Sequence, residues 1–177
     1  MQYISHYSSP LGKMLLAGSE AGLTGLWFEG QKYFPRGLDD GRAEGELPLF
    51  ETARRWLDVY FSGREPDFSV PLHLTGTAFQ REVWEILRAI PYGHMATYGE
   101  IAAALAAKRG LSRMSAQAVG GAVGRNPVSV IVPCHRVVGT DGSLTGYAGG
   151  LDRKVRLLTL EQADLSQCFL PKRGSAL

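Results

Sequence analysis

The feature that most constrains this chain is a change in the period of its apolar residues across 63–78. Before that stretch, residues 2–7, 13–18 and 23–28 are short apolar or alternating runs. They are separated by Ser-Ser-Pro-Leu-Gly and Ser-Glu-Ala-Gly, and this pattern is strand-and-turn chemistry. Residues 30–46, rich in glycine and charge, read as a variable loop. Leu49, Ala53, Trp56, Leu57 and Tyr60 then recur at helical spacing, so 48–61 is predicted as an amphipathic helix ended by Ser62-Gly63. The stretch itself carries Pro66, Pro71 and Gly76, and beyond it the pattern is helical. One such change predicts two domains. These are a small α/β domain over 1–74 and a mainly helical domain over 75–166, followed by a tail over 167–177.

Within the second part, Thr77 and Gln80 form a capping-box pattern ahead of an apolar stripe of Phe79, Val83, Ile86, Leu87 and Ile90. Pro91-Tyr92-Gly93 stops that helix. Thr97 with Glu100 opens an alanine-rich helix over about 99–107, and Ser115 can cap another over 115–124. Two short helices joined by a loop are the sequence image of a helix-turn-helix. The second is built almost wholly of small residues: Ala116, Ala118, Gly120, Gly121, Ala122 and Gly124. Each interior glycine costs a helix about 1 kcal/mol relative to alanine. A slim surface is therefore required, either for the approach of another body or for close packing on a neighbouring helix.

Charge is unevenly spread. Residues 1–78 hold 7 Lys+Arg against 10 Asp+Glu, and residues 79–177 hold 12 against 7. Between Glu100 and Asp141 there is no acidic residue, while Lys108, Arg109, Arg113, Arg125 and Arg136 all fall there. Such a stretch suits a polyanion, or is simply a solvated basic face. No apolar run approaches the ~20 residues of a membrane span, and the Met-Gln-Tyr-Ile-Ser-His start lacks the layout of a signal peptide. A cytoplasmic location away from membranes is expected. Cys134 and Cys168 are the two cysteines, with no CxxC or HxxxH spacing, so neither a structural disulfide nor a metal site is expected.

The densest stretch is 126–136, Asn-Pro-Val-Ser-Val-Ile-Val-Pro-Cys-His-Arg. A free cysteine is usually a buried small hydrophobe. Here it sits beside an imidazole and a guanidinium, a setting that favours the nucleophilic thiolate. Adjacent side chains do not normally face one another, so a bridging water suits proton transfer between Cys134 and His135 better than direct contact.

Pro133-Cys134-His135-Arg136-Val137 resembles the signature of the O6-alkylguanine-DNA alkyltransferases. The likeness extends through Phe79-Gln80, Pro91-Tyr92-Gly93, Thr97-Tyr98-Gly99, Ala118-Val119-Gly120-Gly121, Asn126-Pro127 and Gly146-Tyr147-Ala148-Gly149-Gly150 to Glu161. It covers essentially all of 77–161, and the first third fits more loosely. The resemblance implies a ribonuclease-H-like first domain and a winged-helix-like second one. It implies irreversible, once-only transfer of an alkyl group from O6-alkylguanine to Cys134, with O4-alkylthymine as a further substrate, no cofactor, and a monomer acting on double-stranded DNA. His135 would be the base acting through water and Glu161 the carboxylate that orients it. Glu161 follows the apolar side of a helix marked by Leu151, Val155, Leu157 and Leu158, at the helix end where the dipole opposes a carboxylate.

A stacked guanine cannot be attacked, so the base must be flipped out. By resemblance its pocket would be walled by Tyr147, Ala148 and Gly149 with Pro133 and Val137. Tyr98 would protonate the departing guanine, and Asn126 would buttress the active-site turn. The slim helix, with Gln117, Ala118, Gly120 and Gly121, would enter the minor groove, with Arg113, Arg125 and Arg136 on the DNA. Many family members carry an arginine where this chain has Gln117, which has no charge to stack on a base. The two rival readings are a cysteine hydrolase using Cys134, His135 and Glu161, and a lesion-binding protein without catalysis.

Overall fold

The computed structural model describes residues 1–35 and 42–171. They fall into two compact units, one within 1–75 together with Pro127–Ser129, the other within 76–126 together with 130–171.

In the first unit, β1 (Gln2–Ser9), β2 (Gly12–Ser19) and β3 (Gly22–Phe28) form an antiparallel meander. Residues 42–44, expected inside a loop, instead form a short strand, β4 (Arg42–Glu44), parallel to β1. The sheet order is β3-β2-β1-β4. Residues 36–41 of that expected loop lie outside the described residues. Helix α1 (Pro48–Phe61) starts with proline at its first turn, where the missing N–H costs nothing, and buries Phe50, Ala53, Leu57 and Tyr60. Leu15, Ala17 and Trp27 form a second apolar cluster with Ile4 and Phe34, and β3 is buried along its whole length. The open side of β3 is closed by irregular chain. Leu23 pairs with Leu72 of the proline-rich stretch, and Leu26 pairs with Val128. An unpaired strand edge is thus covered without another strand.

In the second unit, α2 (Ala78–Arg88) has both halves of the Thr77/Gln80 capping box. Its buried stripe is Val83, Trp84 and Leu87, with Phe79 and Ile86 only half-buried. Trp84 lies between the expected positions and donates its indole N–H to Ala122 O at 2.9 Å. Helix α3 (Tyr98–Lys108) is capped by Thr97, and α4 (Ala116–Gly124) by Ser115. Together they form the expected helix-turn-helix, packed on α2. The two-residue strands β5 (Ala96–Thr97) and β6 (Val137–Val138) pair in parallel, and α5 (Leu151–Leu160) follows. Residues 167–169, expected in a tail, pack back on the unit. Leu144 N–H donates to Phe169 O and Phe169 N–H to Gly142 O, while 172–177 lie outside the described residues.

Candidate active site

The β5–β6 ladder sets Ala96 opposite Val137 and Thr97 opposite Val138. It therefore brings Tyr98, the first residue of α3, to the turn that holds Cys134, although 36 positions separate them. Cys134 opens a single 3-10 turn, Cys134–Arg136, and its N–H donates to Val132 O at 2.9 Å. Two residues before Val132, Val130 has φ of 70°, a left-handed conformation that a β-branched residue adopts only under constraint. Part of that constraint is Asn126, whose Nδ2 donates to Val132 O at 2.8 Å. The Asn126 side chain also hydrogen-bonds Cys134.

Cys134 is 5% exposed. Burial pushes its thiol up from the ordinary cysteine range, against the Asn126 hydrogen bond and the charge of Lys154, which pull it down. The expected cation, Arg136, does not serve Cys134. Its Nε donates to Glu161 Oε1 at 2.7 Å, its Nη2 to Glu161 Oε2 at 3.1 Å and its Nη1 to Ile90 O at 2.7 Å. Arg136 also lies over the Tyr92 ring at 5.7 Å. Where the sequence reading put Arg136 on the DNA, the structure buries it: at 8% exposure its guanidinium is committed to a buried carboxylate and a helix-end carbonyl.

Glu161 is where these contacts converge. Besides Arg136 it takes Gly93 N–H at 3.2 Å, and its Oε2 lies 2.6 Å from His135 Nε2. Burial would raise its carboxyl, but the hydrogen bonds and charges of His135 and Arg136 outweigh it and bring the carboxyl down to about 2. Burial lowers His135, and the Glu161 carboxylate only partly opposes this, so the ring is neutral near neutral pH. With Glu161 ionised, Nε2 carries the hydrogen and Nδ1 is the basic nitrogen. The turn Pro91-Tyr92-Gly93, read in the sequence as a helix stop, thus also holds the carboxylate.

Tyr98 donates its hydroxyl to Gly146 O at 3.1 Å and, at longer range, to Thr145 O at 3.4 Å. Burial first, and the charge of Cys134 second, push its phenol above its ordinary value, so it remains a proton donor. Tyr147 is buried, edge-on to His135 with centroids 6.4 Å apart. Gly149 lets that ring sit close, because a Cβ at 149 would lie 2.7 Å from Tyr147 Cε1. Pro133 and Val137 are buried beside the turn, and Ala148 is half-exposed.

On α4 the two proposed uses of small residues both occur, at different positions. Gly120 is buried against the Tyr98 ring, whereas Gly121 is exposed with open space around it. Gln117, Ala118, Gly121 and Arg125 are exposed and share one face of the helix, with Arg113 exposed in the preceding loop. Arg109, counted among the basic residues of this stretch, is paired with Glu82 at 2.8 Å and lies over Phe79.

Sequence reasoning passed over Lys154, which is fully buried on α5. It lies three residues after Leu151 and four before Leu158, on the apolar stripe itself, and a lysine there was the signal. Its Nζ donates to Val137 O and, at 2.8 Å, to Thr145 O. Among the described residues no group of three His, Cys, Asp or Glu could hold a metal ion, and no helix is long and apolar enough to cross a membrane.

The site thus joins a buried cysteine and the buried His135–Glu161–Arg136 chain at one turn, on a unit with a helix-turn-helix. Two family models match: the 6-O-methylguanine DNA methyltransferase ribonuclease-like domain over 2–74 and its DNA-binding domain over 78–163. Methylated-DNA–protein-cysteine methyltransferases from Haemophilus influenzae and Methanosarcina acetivorans are 42% identical over 161 residues and 46% over 160. Each alignment covers 90% of this chain, and 86% and 97% of the relative. The crystal structure of Mycobacterium tuberculosis OGT in complex with DNA superposes with a TM-score of 0.79 at 41% identity, covering 94% of both chains. The chain belongs to the 6-O-methylguanine DNA methyltransferase family.

Proposed function

We infer that this protein repairs DNA by direct reversal, transferring the alkyl group of O6-alkylguanine irreversibly to Cys134. The observation that carries the reading is the buried chain His135–Glu161–Arg136 behind Cys134, in a chain of this family. The substrate is duplex DNA with the damaged base flipped out, since the alkyl carbon on O6 of a stacked guanine is out of reach of a buried thiol.

The chemistry follows from the protonation states. The Cys134 proton passes through water to Nδ1 of neutral His135, and Glu161 stabilises the imidazolium that forms. The thiolate attacks the alkyl carbon in line, forming the S–C bond as the C–O bond breaks. The bonding pair leaves with guanine, which takes a proton from Tyr98, and the proton held by His135 makes good that loss. No electron donor or cofactor enters the balance. Cys134 ends as a thioether, so each molecule acts once. O4-alkylthymine presents the same O–alkyl bond and is a second substrate on this reading. Tyr147, Ala148, Gly149, Pro133 and Val137 wall the base pocket. Gln117, Ala118, Gly121, Arg113 and Arg125 face the DNA, with Gly120 behind them against Tyr98. A reducing cytoplasm suits a monomer whose function needs a free thiol.

The test is mass analysis after incubation with duplex DNA carrying O6-methylguanine. A single methyl group on Cys134, with no further turnover on excess DNA, is expected. An unmodified protein sinks the reading, and repeated turnover of ester substrates would favour the cysteine hydrolase instead.

A further inference from the structure

Lys154 is fully buried on α5, and its hydrogen-bond partners among the described residues are two backbone carbonyls, not a carboxylate. A buried ammonium is expensive unless another charge compensates it. Carbonyl dipoles alone leave the net charge in place. The groups around it are few. Its charge acts on Cys134 and His135 of the catalytic turn and on Cys168 of the C-terminal segment, and Tyr98 of α3 meets it at the shared Thr145 carbonyl. Arg136, the other buried cation of that turn, is paired with Glu161. Asp164 acts on Cys168, which is half-buried at the edge of the same region. Of the two thiols, Cys134 has the stronger effect on Lys154.

We propose that Lys154 is the positioning residue that makes Cys134 a nucleophile, its buried ammonium being the counter-charge of the thiolate. The carbonyls of Val137 and Thr145 act as its mount. Val137 lies three residues beyond Cys134, so the cation is fixed to the strand that the catalytic turn runs into. Thr145 O also accepts from the Tyr98 hydroxyl, so the ammonium and the leaving-group phenol are aligned on one atom. The amine is held down to about 8, by burial first, with the two thiols working against that shift. A thioether at Cys134 can no longer ionise, so alkylation removes the group whose thiolate form supports the Lys154 charge. The inference rests on the alkyl-transfer reading for its purpose, but its test does not require DNA.

In a Cys168→Ser background, the rate of Cys134 modification by iodoacetamide is measured against pH, with and without Lys154→Met. Loss of the counter-charge is expected to move the midpoint of the profile upward by about one unit and to slow modification at pH 7 roughly tenfold. A purely structural lysine would change thermal stability and leave the midpoint where it was, and that result overturns the proposal. Should Lys154→Met not fold, the Lys154 Nζ resonance is titrated by NMR in the Cys168→Ser protein before and after S-methylation of Cys134 with iodomethane. A lower midpoint after methylation is expected, and an unchanged one overturns the proposal. A protein that shows the iodoacetamide shift but takes no methyl group from O6-methylguanine DNA would refute alkyl transfer and leave the role of Lys154 standing.

Discussion

Glu161 is the residue at which the proposed chemistry and the stability of the fold meet. Its carboxyl is ordinarily near 4.5 and is held at about 2 here, so the stability it contributes is complete above 4.5 and disappears as pH falls toward 2. His135, buried and lowered from its ordinary 6.5, adds a loss that begins as pH drops through that value, because only the unfolded chain then takes up the proton. Glu161→Gln is expected to flatten the lower part of an acid-unfolding profile and to slow alkyl transfer roughly 100-fold or more, since the imidazolium loses its counter-charge. Single-turnover kinetics on O6-methylguanine duplex and denaturant melts across pH check both. Arg136 gives a contrasting prediction. Arg136→Met strands a buried carboxylate and should cost about 3–5 kcal/mol of stability. The salt dependence of DNA binding should stay as it was, because this guanidinium is buried on Glu161. A reduced salt slope in that variant would restore Arg136 to the DNA surface.

At the level of elements, α4 carries two glycines with opposite surroundings. Gly121 has open space where a methyl group would go, so Gly121→Ala should raise helix stability by about 1 kcal/mol. The same methyl stands on the face proposed to meet DNA and should weaken duplex affinity. Thermal melts paired with DNA titrations separate the two effects, and affinity unchanged by the substitution would argue that another face docks. The β5–β6 ladder is only two residues long on each strand, yet it determines where Tyr98 meets the catalytic turn. So short a ladder leaves almost no pattern in a sequence.

Across the whole molecule, the basic excess belongs to residues 79–177 and the acidic excess to 1–78. Arg109 is tied to Glu82 and Arg136 to Glu161, whereas Arg113 and Arg125 are exposed on either side of α4, the helix proposed to meet DNA. Arg125→Ala should lower duplex affinity uniformly across sequences and reduce the slope of log affinity against log salt by about 1. Fluorescence titrations at several salt concentrations measure that slope. The chain path adds one feature: residues 127–129 belong to the first unit although the second surrounds them in sequence. The stretch between Asn126 and Cys134 therefore leaves and re-enters the unit that holds the active site.

Much of this was legible in the residues. The change of period falls where the two compact units divide, the caps at Thr77, Thr97 and Ser115 set helix starts, and the resemblance around Cys134 singled out His135 and Glu161, which the structure pairs at 2.6 Å. Such signals are local, because capping and periodicity act over a few residues. What only the tertiary structure decided is which charge faces which. Adjacency in sequence suggested Arg136 as the cation beside Cys134. The fold turns Arg136 to Glu161 and buries Lys154, twenty residues on, on the carbonyls of Val137 and Thr145, from where its charge acts on Cys134. A buried charge is placed by whichever partner offsets its desolvation, and that partner is chosen by packing, not by position along the chain.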